Sequence, residues 1–133
     1  MTGFEYTEKA LLERMASRSE KLQEVLISLR GEWFPQQPPP YLVMAEYAEV
    51  IAIDKIPSSA LVLILTDAED CFLLGGTAAD LVAVGFLEAL LGKASAGRFE
   101  FATIVNLLGP KSLEFCAAWD QYTGCSTVAD AQR

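Results

Sequence analysis

The run ALVLILT, residues 60–66, separates the two fold classes open to this chain. It has no polar residue before Thr66, as expected of a β-strand that is covered on both faces. The polar segment DAED (67–70) follows, and a second apolar run, CFLL (71–74), comes directly after it. This order predicts a β-hairpin, whereas a helical run at 60–65 would make the domain all-α.

Upstream of this run, residues 7–30 have the apolar spacing of an amphipathic helix. The apolar face of that helix is interrupted at Arg18 and Ser19, and Gly31 is expected to end it. The prolines that follow predict an extended linker at about residues 31–40. Residues 41–53 have mixed propensities, and we predict a strand for their second half. The residues that form the apolar face are Leu11, Met15, Leu22, Leu26 and Leu29.

Downstream of the run, Gly75 and Gly76 interrupt the chain, and Thr77 with Asp80 imitates a capping box. We predict a helix at 77–91, ended by Gly92. It is apolar on nearly every side, so it is either the central helix of the fold or a subunit contact. Residues 98–108 suit a strand or a helix, and 111–122 form an amphipathic helix. Gly124 ends that helix before a tail that we expect to fray.

These elements predict one α+β domain spanning residues 1–133, with an all-α domain as the alternative. The predicted domain has a small sheet of two to four strands, and the N-terminal amphipathic helix, the buried central helix and the C-terminal helix pack on it. Hydrophobic residues make up 52% of the chain. That surplus for a domain of this size predicts that some apolar surface is covered by another copy, which favours a homo-oligomer.

The net charge of −8 is unevenly distributed along the sequence. Residues 1–31 hold five cations and five carboxylates, whereas the rest of the chain holds five cations and thirteen carboxylates. Such a surface repels phosphate backbones, so we expect no direct nucleic acid binding. No apolar run is long enough to span a membrane, and residues 1–5 begin no export signal. We therefore expect a cytoplasmic protein that does not bind membranes.

The residue types needed for common catalytic sites are scarce in this sequence. There is no histidine, which removes the usual general base and the usual metal ligand. The three cysteines have no metal-binding or redox spacing, and we interpret them as reduced thiols. The acidic segment at 67–70 lacks the pattern of a calcium loop. We expect no catalytic residue, no metal and no cofactor.

Negative charge without catalytic chemistry favours a non-enzymatic protein-binding module, such as an inhibitor, immunity factor, chaperone or adaptor. A basic protein is the best match for its partner. One alternative is a homo-oligomeric structural component that associates through the 77–91 helix or the first helix. A further alternative is a small enzyme that works through carboxylates or a cysteine. The residues predicted to contact the partner are Asp54, Asp67, Glu69, Asp70, Trp33 and Phe34.

Overall fold

The computed structural model describes residues 7–133, and every regular element within that range is a helix. The predicted α+β class, with its small sheet, is therefore wrong, and the all-α alternative is the fold. The expectation about residues 1–5 lies outside the described residues. The helical elements are α1 (Glu8–Ala16), α2 (Glu20–Trp33), α3 (Pro40–Ile53), α4 (Ser58–Leu74), α5 (Gly76–Asp80), a π-helical segment (Leu81–Leu87), α6 (Glu88–Ser95), α7 (Ala102–Val105), α8 (Pro110–Thr123) and α9 (Thr127–Ala131).

The predicted hairpin at 60–74 lies entirely within one helix, α4. Leu61, Ile64 and Leu65 point into the core, and their spacing is that of one helix face. Val62 and Leu63 lie on the opposite side and are 41% and 44% exposed. The run has no polar break because both faces of this helix are apolar, and a buried strand produces the same pattern.

The other predicted strands are also helical or irregular. Helix α3 covers residues 40–53 completely, because its buried side chains recur every three or four residues through to Ile51. The buried Tyr47 hydroxyl on α3 donates a hydrogen bond of 2.9 Å to the carbonyl of Leu12 in α1. Residues 98–108 contain only the short helix α7.

The predicted N-terminal helix is two helices, separated at Ser17–Ser19, where its apolar face is interrupted. Gly31 does not end α2, which continues to Trp33. The helix stops at Phe34, whose extended backbone (ψ 137°) is the conformation that a following proline favours.

The predicted central helix is present and is longer than expected. Helix α5, the π-helical segment and α6 follow one another without a break, and Gly92 lies inside α6. The N-cap residue is Gly75, with no side-chain cap, so the predicted capping box at Thr77 does not form. A Cβ at Gly85 would lie 3.1 Å from the Tyr41 ring, so α3 and the π-helical segment approach closely here. The fully buried side chains of the π-helical segment and α6 are Leu81, Val82, Phe86, Leu87, Leu90 and Leu91.

Helix α8 confirms the predicted C-terminal helix to within one residue, and Gly124 ends it in the left-handed conformation (φ 80°). The tail does not fray as predicted, because α9 packs its buried Val128 against the core. The Val128 N–H donates a 2.8 Å hydrogen bond to the Asp120 carboxylate of α8. Within the described part of the chain, none of the helices has the length and apolar character needed to cross a membrane.

Candidate protein-binding surface

Asp67 lies on the side of α4 that faces α1, and it is only 1% exposed. Its Oδ1 accepts hydrogen bonds from Arg14 Nε (3.1 Å) and Arg18 Nη2 (3.0 Å), and its Oδ2 accepts one from Arg18 Nε (2.9 Å). A buried carboxylate requires such partners, since burial without them is costly. The structure thus places this predicted contact residue in an internal ion pair, where a partner protein would not reach it.

Glu69 lies on the opposite side of α4, at the first turn of α8. Its two carboxylate oxygens accept hydrogen bonds from the backbone N–H groups of Lys111 and Ser112, both at 2.9 Å, and from the Ser112 hydroxyl at 2.7 Å. Burial alone would raise the pKa of Glu69, but these hydrogen bonds outweigh it and lower the pKa below its ordinary value. Glu69 therefore caps a helix that lies about 40 residues further along the chain.

The other four predicted contact residues are exposed, and they belong to three different helices or helix ends. Trp33 and Phe34 lie where α2 ends, and Phe34 is 80% exposed. Asp54 follows the last residue of α3, and Asp70 lies on the outer face of α4. The structure does not gather the six residues into one site.

A groove between α2 and α3 brings together carboxylates that the sequence did not single out, with Asp54 among them. Its volume is about 430 Å³. Four carboxylates line it, from Glu24, Glu32, Glu46 and Asp54, and Lys21 is its one cation. Among the described residues, no salt bridge within 4.0 Å involves any of these five. The remaining lining residues are Val25, Ser28, Leu29 and Val50. We call this feature the acidic groove.

One signal for the acidic groove exists in the sequence. Glu46 and Asp54 are eight residues apart, and this spacing places two side chains on the same side of a helix.

The remaining carboxylate of α3 is neutralised by neighbouring cations. Glu49, also on α3, binds the Lys93 ammonium group, and Arg98 Nη2 lies 3.0 Å from its Oε1. The hydrogen bond from Lys93 lowers the pKa of Glu49, although burial opposes the shift. Uncompensated negative charge on α3 is therefore concentrated in the acidic groove.

Two of the three cysteines are buried, and the third lies in a cavity. Cys71 and Cys116 are fully buried, and burial raises their pKa values to about 11 and about 12. Cys125 is half-buried and lines a cavity of about 420 Å³, whose described lining holds Glu100 and Asp130 but no cation to activate a thiol. In the described residues, no group of three or more Cys, Asp or Glu side chains is placed to hold a metal ion.

Comparison with known proteins finds no matching family model, no similar curated protein and no similar solved structure.

Proposed function

We propose that this chain is a non-enzymatic protein-binding module that receives a basic segment of a partner protein in the acidic groove. The observation that carries the proposal is the set of four carboxylates that line this groove without an ion pair among the described residues. A net charge of −8 adds long-range attraction for a basic partner and speeds encounter.

The walls of the groove suit lysine and arginine side chains. Val25 and Val50 are partly buried and Leu29 is buried, so the floor between the carboxylates is apolar. Long cationic side chains lay their methylene stems on apolar surface and place their charged heads beside acids. Lys21 offsets only one of the four negative charges in the lining, so the groove keeps a negative charge that a partner's cations would neutralise.

A cytoplasmic location belongs to this proposal. Three free cysteines, two of them deeply buried, suit a reducing compartment.

The test compares two doubly substituted variants of equal charge. Glu46→Gln/Asp54→Asn removes two charges from the acidic groove, and Asp80→Asn/Glu114→Gln removes two from exposed sites elsewhere. Each variant and the wild type is immobilised, exposed to cytosol of the source cells and eluted with a salt gradient, and the partner is identified by mass spectrometry. We expect the wild type and the Asp80/Glu114 variant to retain one basic protein that salt releases.

Titration calorimetry with the purified partner then measures the affinity directly. The groove variant should bind about tenfold more weakly, since it loses two charge pairs that each contribute roughly 0.7 kcal/mol at an exposed site. Equal weakening by both variants would assign binding to overall charge and contradict the groove. Unchanged binding by both, or no basic partner, would contradict the proposed function.

A further inference from the structure

Helix α4 has an exposed face that no other described element covers. Val62, Leu63, Leu73 and Leu74 on this face are between 41% and 63% exposed, and they lie in two pairs near the ends of the helix. Thr66 and Asp70 are exposed between the pairs. We call these six residues the α4 face.

The α4 face has the same order of apolar and polar residues when it is followed in either direction along the helix. About a centre at Ala68, Val62 exchanges with Leu74, Leu63 with Leu73, and Thr66 with Asp70. A two-fold axis through that centre would set each apolar pair of one copy on the other apolar pair of its partner. It would set the hydroxyl of Thr66 against the carboxylate of Asp70, so that the two Asp70 charges do not meet. Isologous interfaces require this kind of self-complementarity.

The charges that border the α4 face favour a second copy over most other contacts. Arg14 and Arg18 bind Asp67 on one side of it. Lys111 lies on the other side, 5.8 Å from the centre of the Phe72 ring of α4. Asp70 is the exposed carboxylate of the α4 face. Across a two-fold axis, the Lys111 ammonium group that borders the face would attract the Asp70 of the opposite copy.

We propose that the α4 face is a homodimer interface in which two α4 helices pack antiparallel across a two-fold axis near Ala68. The contact is separate from the acidic groove, which lies between α2 and α3 and stays open in the dimer. An interface built on one helix from each copy is small, so the dimer should form at micromolar to tens of micromolar concentrations.

Sedimentation velocity over a concentration series tests the association. Leu73→Glu should raise the dimer dissociation constant about tenfold or more, because it places a charge in an apolar contact. Ile27→Glu on α2 is the matched control, since Ile27 is 64% exposed and lies outside the α4 face. Circular dichroism checks that both variants keep their helices. A wild-type chain that stays monomeric at high concentration, or equal weakening by both variants, would overturn the proposal.

Disulfide trapping tests the antiparallel register in a Cys125→Ser background. The double variant Val62→Cys/Leu73→Cys should give a covalent dimer on mild oxidation, because these two positions share one edge of the α4 face and the two-fold axis brings each new cysteine beside the other one on the opposite copy. Each single variant should stay monomeric, since its two copies of the cysteine lie about 15–18 Å apart along the helix. Efficient cross-linking by a single variant, or none by the double variant, would contradict the register.

Discussion

Glu69 connects two helices that are distant in sequence, since its carboxylate from α4 binds the first turn of α8. The hydrogen bonds that form this cap are strongest when the Glu69 carboxylate is ionised. They therefore keep the pKa of Glu69 low in the folded chain. In the unfolded chain the same group takes up a proton at a higher pH. Glu69 therefore contributes stability above its unfolded pKa, and that contribution is lost as the pH falls through the folded pKa.

Glu69→Gln should lower the free energy of unfolding at neutral pH by about 1–2 kcal/mol, since the cap loses its charge. The loss should shrink on acidification, because the wild type loses the same contribution there. Urea denaturation at a series of pH values measures this. Glu114→Gln, on the exposed side of α8, should change little. Curves for Glu69→Gln and the wild type that stay parallel down to low pH would contradict the assignment.

Asp67 and Glu69 also mark where sequence patterns fail at this scale. Their position in a polar segment between two apolar runs predicted a β-hairpin with both residues available to a partner, but the cations and N–H groups that bind them lie 42–53 residues away. No local spacing reveals such partners. Asp54, by contrast, is exposed at the end of a helix as a surface charge should be, although its role in binding stays a prediction.

Alanine substitutions at Gly109 and Gly31 should have opposite effects on the free energy of unfolding. A Cβ at Gly109, the N-cap residue of α8, would lie 2.3 Å from the Glu69 side chain. Gly109→Ala should therefore displace the cap and cost about 1–3 kcal/mol. Gly31 lies inside α2, and a Cβ there would meet no atom within 4 Å, so Gly31→Ala should stabilise by about 0.5–1 kcal/mol.

Thermal and urea denaturation of the two alanine variants give these values. Gly92→Ala in α6 should behave like Gly31→Ala, because a Cβ there also meets nothing within 4 Å. If Gly109→Ala left the free energy of unfolding unchanged or raised it, the clash with Glu69 would be relieved without loss of stability, contrary to the prediction.

Helices with one polar face were predictable, whereas α4, which has two apolar faces, was predicted as strands. The amphipathic pattern located α8 to within one residue. It predicted α1 and α2 as one helix, and they separate where its apolar face is interrupted. In α4 the outward residues Val62 and Leu63 are as apolar as the inward ones, so the helical period disappears from the sequence. These same two residues, Val62 and Leu63, form one of the two apolar pairs of the α4 face.

The fold as a whole controls the reactivity of its cysteines. Cys71 and Cys116 are fully buried with raised pKa values, whereas Cys125 is half-buried. At neutral pH a maleimide should therefore label Cys125 first, and the other two should react only as the chain unfolds. Mass spectrometry of intact protein should show one label before denaturation and three labels after it. Fast labelling of Cys71 or Cys116 in the native state would contradict the packing of α4 and α8.

At the scale of the molecule, composition predicted an acidic chain rich in apolar residues but not where its charge lies. Helix packing decides that distribution. It pairs Glu49 with Lys93 and Arg98, and it leaves the carboxylates of Glu46 and Asp54 in a groove. The packing of α2 against α3 that forms the groove could not be foreseen from the predicted sheet, which is absent from residues 7–133.

The opposite placement of Asp67 and Glu69 on α4 also determines where the chain tolerates a change in length. One residue inserted between them would rotate everything beyond it by about 100° around the helix axis. Either the contact with α1 or the contact with α8 would then break. Gln36 and Gln37 lie in an exposed connection outside any helix, so an extra residue there would not rotate one set of helix contacts relative to another. Insertions and deletions should therefore accumulate there and be excluded from the middle of α4.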